Sequence, residues 1–247
     1  MQKNTLVGAA VILVILAGTV LYAAMRPMPA KAPTLPEGGY TEHAQYYDIA
    51  ANYATSTPLS GNANTAAIAL MQSFVADTIA QFKADGKFGS LTSEDITMMG
   101  FDKGRKETLN IVYLISSLPR TVSYIFTIYE DTLGAHGNTS FHTFTFDTAS
   151  GVPLSLADLF LPGTDYLGKL SALARERLPG VIGQYGDAAM IASGTAPEDK
   201  NFENFFFDGN NLIILFSPYQ VAAYAAGPQT LRIPLSELST ILKPAYR

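Results

Sequence analysis

The chain has 247 residues, with 16 Lys plus Arg against 21 Asp plus Glu, a formal net charge of −5, and no cysteine. The acidic balance argues against nucleic acid as a partner, and the missing cysteine excludes a lipoprotein anchor, a disulfide framework and a thiolate nucleophile. With 48% hydrophobic residues, including 14 Phe and 13 Tyr, the composition is that of a chain with a substantial folded core.

Residues 6–25 (LVGAAVILVILAGTVLYAAM) carry no charge and follow the short tail MQKNT, residues 1–5. Twenty helical residues rise about 30 Å, the thickness of a bilayer's hydrocarbon core, so this stretch predicts a transmembrane signal-anchor. A cleaved signal peptide is the alternative, but LYAAM matches the small-x-small cleavage pattern poorly. Lys3 on one side and Arg26 and Lys31 on the other leave the positive-inside comparison nearly tied. The long part follows the span, which favours its export. The expectation is a single-pass protein of the cell membrane, with a cytoplasmic tail and an extracytoplasmic C-terminal part of formal charge about −6.

Residues 26–43, with Pro27, Pro29, Pro33 and Pro36, read as a semi-extended linker. Residues 46–53 (YYDIAANY) read as a short strand. A helix follows from a cap at Asn62 or Asn64 to about Lys83, with Ile68, Met71, Val75, Ile79 and Phe82 on one face and Gly86 as its stop. Alternation at Leu109, Ile111, Tyr113 and Ile115, and again at Val122, Tyr124, Phe126 and Ile128, predicts a β-hairpin turning at residues 118–121. A third strand, 140–147 (SFHTFTFD), ends in a tight turn at 148–151. Residues 154–161 hold a helical turn, and Thr164 caps a helix that Pro179-Gly180 stops. Residues 181–201 carry little pattern and read as a loop. Strands return at 204–208, 212–216 and 231–235, before a last helical turn through Leu242. Strands and helices are segregated, so the fold class is α+β: a mainly antiparallel sheet covered by helices, preceded by one N-terminal transmembrane helix.

No G-x-S-x-G elbow, H-E-x-x-H helix or glycine-rich phosphate loop is present, so neither a catalytic residue, nor a metal site, nor a cofactor is expected. His142 shares a strand face with Phe144 and Phe146 and reads as a partly buried, hydrogen-bonded ring. His43 falls in the linker and His136 in a loop. The acidic pairs Glu94-Asp95, Glu130-Asp131 and Glu198-Asp199 read as solvated surface, and Lys103, Arg105 and Lys106 as the decoration of a turn.

The runs FTFDTASGVPLSLADLF and DYLGKLSALARERL, then FFFDGNNLIILFSPYQVAAYAAGPQTLRIPLSEL with its Pro-Tyr, second Tyr, Gly-Pro and Ile-Pro-Leu-Ser ending, resemble an exported family. The pattern is similar to the C-terminal domain shared by RsiV-type anti-sigma factors and PdaC-type peptidoglycan deacetylases; residues 44–135 resemble the PdaC-type domain that precedes it. The resemblance implies a PdaC-like domain at 44–135, an RsiV-like C-terminal domain at 136–247, and a non-catalytic module that binds a ligand near the cell wall. It further implies peptidoglycan or a wall-active protein such as lysozyme as ligand, and the five residues before the span leave no room for a sigma-binding segment.

Pro218 cannot donate to a sheet and Gly227-Pro228 forces a turn, so residues 219–224 bridge two strands. Tyr219 and Tyr224 are the candidate ligand-binding residues, because a tyrosine offers a flat apolar face with a polar tip. The plainer reading is that both pin the bridge to the core. The functional expectation is a membrane-anchored, outward-facing binding or sensing module of the cell envelope; the alternative is an envelope scaffold or assembly subunit whose anchor, with Gly8, Ala17 and Gly18, packs against another membrane protein. The sequence leaves the oligomeric state open.

Overall fold

The computed structural model describes residues 33–247, and the proposed span at 6–25 lies outside them. Among the described residues no helix is long and apolar enough to cross a membrane. The architecture is α+β, with two sheets that are antiparallel apart from one strand pair.

The first half contains β1 (Tyr40–His43), β2 (Tyr47–Ala51), α1 (Gly61–Gly86), α2 (Ser93–Met99), β3 (Glu107–Ser117), β4 (Thr121–Asp131) and β5 (Asn138–Asp147). The strands form one sheet in the order β1-β2-β3-β4-β5. Only β2 and β3 run parallel, a pairing that needs a long crossover, and α1 and α2 lie in that crossover. Met71, Val75, Ile79 and Phe82 of α1 pack on Ile49, Leu109, Ile111, Phe126 and Phe146 of the sheet. Their steps of three and four put them on one stripe, which is why this helix is legible in the sequence.

The helix ends differ from those predicted. Ser60 precedes the first turn without a side-chain cap, while the Asn64 side chain accepts from the Thr57 amide and hydroxyl at 2.9 and 2.8 Å and so secures the incoming loop. The left-handed residue that stops α1 is Lys87 (φ 48°), one beyond Gly86. Strand β1 lies inside the expected linker, because Tyr40–His43 pairs with Asp48–Ala51 in antiparallel register. Helix α2 includes Glu94-Asp95: the Thr92 hydroxyl and the Asp95 carboxylate cap each other's backbone amides.

The second half contains α3 (Tyr166–Ile182), α4 (Ala188–Gly194), and the sheet β6 (Phe205–Asp208), β7 (Asn211–Phe216) and β8 (Gln229–Pro234), in the order β6-β7-β8. Leu170, Ala174 and Leu178 of α3 pack on Phe207, Leu212, Ile214, Phe216, Leu231 and Ile233. Asp165 rather than Thr164 caps α3, its carboxylate accepting from the Gly168 amide at 2.9 Å. The helix runs past Pro179 to Ile182: the proline forfeits one bond near the end, while Leu178 and Ile182 are both buried. Within the loop expected at 181–201, Asp187 caps α4 by accepting from Ala189 and Met190.

The expected boundary between 135 and 136 falls between β4 and β5, two strands of one sheet. The core changes later, between Phe146 of the first cluster and Leu156 of the second. At the seam, the outer edge of β6 is bonded by side chains of the first sheet. Thr143 Oγ1 accepts from the Phe205 amide at 3.0 Å, Thr145 Oγ1 donates to the Phe205 carbonyl at 3.1 Å, and Ser116 Oγ donates to the Phe207 carbonyl at 2.5 Å. A stripe of hydroxyls thereby satisfies an edge that would otherwise be open. Asp147, at the end of β5, closes the same seam. Its carboxylate accepts from the Ala149 and Ser150 amides, the Ser150 hydroxyl and the Tyr246 hydroxyl, and pairs with Arg120 at 2.7 Å.

Candidate functional site

The bridge from β7 to β8 is anchored by Val221 and Ala222, both buried in the second core. Between Pro218 and these anchors the chain turns back sharply, with the Gln220 amide donating to the Ser217 carbonyl at 3.1 Å. Tyr219 takes φ 69°, a left-handed conformation that costs a non-glycine residue about 1 kcal/mol or more. That turn throws the Tyr219 ring outward, where it is 55% exposed, while Tyr224, beyond the anchors, stays half-buried.

Both tyrosines meet the loop between β4 and β5 on the other half of the molecule. The His136 ring stacks on Tyr224 at 3.6 Å between centroids and 15° between planes, and Tyr219 and Tyr224 lie 5.5 Å apart. Tyr224 donates its hydroxyl to the Gly137 carbonyl at 2.7 Å, and His136 Nδ1 lies 3.0 Å from the same oxygen. A carbonyl only accepts, so Nδ1 carries the proton; in the neutral ring Nε2 is then bare and accepts from the Tyr219 hydroxyl at 3.0 Å. Tyr129 completes the cluster: a Cβ at Gly137 would fall inside its ring and hydroxyl, so the bare backbone here is what lets the ring approach.

Both hydroxyls are therefore satisfied, as the plainer reading of Tyr219 and Tyr224 required, but their partners belong to the opposite half rather than to the local core. The sequence singled out the two tyrosines and could not join them to His136 and Tyr129. Those two lie over 80 positions away, and no spacing signal connects them. Chemically, the cluster offers ring faces and pre-oriented polar tips across the seam between two folded halves, an arrangement suited to binding a flat, hydroxyl-rich or aromatic group.

The other residues singled out in the sequence stand apart from this cluster. His142 is partly buried beside Phe144, as predicted, but its ring stacks on Phe74 of α1 at 4.3 Å rather than hydrogen bonding, and burial holds its pKa below the ordinary histidine value. His43 and Lys106 both contact Asp48, at 2.9 and 3.0 Å. Glu130 is half-buried rather than solvated, and burial together with the Asp85 charge raises its carboxyl above the usual range. Glu107, buried at the start of the neighbouring strand β3, is raised by burial and by the charges of Asp131 and Glu130. Among the described residues, no three His, Cys, Asp or Glu side chains are grouped to hold a metal ion. Near β1, Glu42, Tyr40, Tyr47 and Lys83 bond to one another; burial opposes the Glu42 charge, but the bonds from Lys83 and the two tyrosines outweigh it and lower its pKa.

Residues 157–236 match the sequence profile of a family described as "Protein of unknown function (DUF3298)". The chain is similar to the peptidoglycan-N-acetylmuramic acid deacetylase PdaC of Bacillus subtilis, 32% identical over 196 residues that make up 79% of this chain and 40% of that protein. It is also 25% identical over 122 residues to the immunogenic protein MPT64 of Mycobacterium tuberculosis, covering 49% of this chain and 52% of the relative. The chain thus spans between two fifths and about half the length of these relatives. A crystal structure of a DUF3298 family member from Bacteroides fragilis shares the fold at a TM-score of 0.60 and 17% identity, over 88% of this chain and 96% of that one. The PdaC-like resemblance read from residues 44–247 is borne out by these matches.

Proposed function

We propose that this PdaC-like chain, with its DUF3298 stretch in the C-terminal half, is a binding module of the cell envelope that takes peptidoglycan glycan on the cluster of Tyr219, Tyr224, His136 and Tyr129. Held at the membrane by residues 6–25 and facing outward, it carries no catalytic step of its own in this reading. The observation that supports it is the cluster itself: an exposed tyrosine in a strained backbone conformation, with its hydroxyl and neighbouring rings fixed by bonds across the seam. Strain of this kind is kept where a side chain must be held in a set position. The PdaC relative's printed name concerns peptidoglycan N-acetylmuramic acid, which makes a glycan the ligand to test first.

The test is titration of the full chain in detergent with soluble peptidoglycan fragments, and in parallel with lysozyme. Replacing Tyr219 by Ala removes one stacking face without touching either core, and weakens glycan binding about tenfold, equivalent to about 1.4 kcal/mol. Tyr219→Phe keeps the face and loses only the bond to His136. Saturable binding to lysozyme alone moves the ligand from glycan to protein. Glycan binding that is unaltered in both Tyr219→Ala and His136→Ala refutes the site.

A further inference from the structure

Residues 217–220 follow the pattern of a type II turn: Pro218 stands second, Tyr219 third with φ 69°, and the Gln220 amide donates back to the Ser217 carbonyl at 3.1 Å. Glycine or asparagine ordinarily fills the third position, where φ is positive. A tyrosine stays there only if its surroundings fix the turn. The Gln220 side chain does so. Its Oε1 accepts from the Ser217 amide at 3.3 Å, and its Nε2 donates to the Gly194 carbonyl at 3.3 Å and to the Asn201 carbonyl at 3.0 Å. A side-chain amide has one acceptor oxygen and two donor hydrogens, and here all three are engaged.

What Gln220 grips is itself fixed. Gly194, the last residue of α4, is buried against the same turn: a Cβ there would lie 1.9 Å from the Gln220 carbonyl oxygen and 3.0 Å from Val221 Cγ1, so two backbones meet directly. Helix α4 is tied in turn to α3, where Arg175 donates from Nη2 to the Ala192 carbonyl at 2.9 Å and from Nε to Thr195 Oγ1 at 3.3 Å. The Asn201 side chain donates to the Ala196 carbonyl at 3.0 Å and closes the loop that follows α4. On the other flank, Gly186 and Ala222 form an isolated antiparallel bridge. Residues 186–201 therefore frame the bridge on which Tyr219 stands.

We infer that Gln220 is the positioning residue of the Tyr219 site. Through its side-chain amide, α4 and the loop to Asn201 hold the turn in the conformation that brings the Tyr219 hydroxyl onto His136 Nε2. Its side chain bonds only main-chain atoms of the second half, so it acts on a ligand through Tyr219 rather than by touching it. The role rests on the glycan reading for its ligand, whereas the hold on Tyr219 exists without one.

The test uses the full chain in detergent, labelled with nitrogen-15 at histidine. The His136 Nε2 resonance, assigned by its loss in His136→Ala, reports the bond from the Tyr219 hydroxyl, and Tyr219→Phe gives its position when that bond is gone. Gln220→Ala removes the brace. Gln220→Glu keeps the shape but sets an acceptor with no hydrogen against the Gly194 and Asn201 carbonyls. Both variants move the resonance toward the Tyr219→Phe position, which a loss of overall stability alone does not do in the folded protein. In titrations with soluble peptidoglycan fragments, Gln220→Ala weakens binding by up to the effect of Tyr219→Ala, about tenfold, and adds nothing in the Tyr219→Ala background. A resonance unmoved in both Gln220 variants overturns the positioning role, whatever the titrations show. A further loss of affinity in the Tyr219→Ala background also overturns it, since Gln220 then acts by another route. If no fragment binds the parent while both variants move the resonance, the glycan reading falls and the hold of Gln220 on Tyr219 stands.

Discussion

Asp147→Asn tests the joint between the two halves. The Asp147 side chain is 3% exposed and accepts from Ala149 N at 3.0 Å, Ser150 N at 2.8 Å, Ser150 Oγ at 3.0 Å and the Tyr246 hydroxyl at 3.0 Å, with Arg120 Nε at 2.7 Å. A hydrogen bond to a buried charge contributes about 1.5–3 kcal/mol, but the turn amides find water when released, and Arg120, 45% exposed, adds under about 1 kcal/mol. Asparagine keeps the shape and one acceptor while turning an NH₂ toward Tyr246 or Arg120. The expected loss is about 2–4 kcal/mol, or about 5–15 °C in Tm for a chain of this size. The sign of the pH dependence follows from the carboxyl's environment. Burial opposes ionisation of Asp147, but the Ser150 and Tyr246 bonds and the Arg120 charge outweigh it and lower the pKa below the ordinary value. A lowered carboxyl stabilises the fold above its unfolded pKa of about 3.9 and ceases to do so as pH falls through the folded value. Urea unfolding at pH 7 and pH 3 is the assay: the two proteins differ at pH 7 and the difference is smaller at pH 3, with equal m values. A difference under about 0.5 kcal/mol at pH 7, or one that persists unchanged at pH 3, refutes the reasoning.

Thr145→Val is close in shape but removes the donor to the Phe205 carbonyl and the partner of Ser123, leaving buried polar atoms unpaired; urea denaturation should register a loss of about 1–3 kcal/mol. His142 is held below its ordinary pKa by burial, so the unfolded chain binds the extra proton more readily and stability falls as pH drops below about 6.5. His142→Phe keeps the stack on Phe74 and should flatten the melting temperature between pH 7.5 and 5.5 relative to the parent; an unchanged slope assigns the acid sensitivity to other groups.

The elements with a strong internal period were legible in the sequence. Helix α1 and β3 each bury one face against a partner, and that burial imposes the steps of three and four, or of two, on their residues, while β7 reads as an apolar run because Leu212, Ile213 and Ile214 are all buried. Where the cause of structure was local chemistry without a hydrophobic stripe, the reading went astray. Helix α2 buries none of its residues and is held by its Thr92–Asp95 capping box, and α4 starts at Asp187 inside a stretch that looked unpatterned. Pro179 looked like a stop because helix propensity counts its lost bond, whereas the structure weighs that against burying Leu178 and Ile182.

By itself the sequence determined the α+β class, the main strands and helices, the resemblance to PdaC-like proteins, and Tyr219 and Tyr224 as residues placed on a bridge. These follow from periodicity, turn chemistry and motif order, all properties of neighbours along the chain. Only the tertiary structure decided that the two tyrosines meet His136 and Tyr129, that a hydroxyl stripe closes the edge of β6, and that β2 pairs with only half of β3. Each depends on which strand lies beside which, a matter fixed by the packing of distant segments. A strand's own residues carry its faces in their alternation, but they do not record where its neighbour ends.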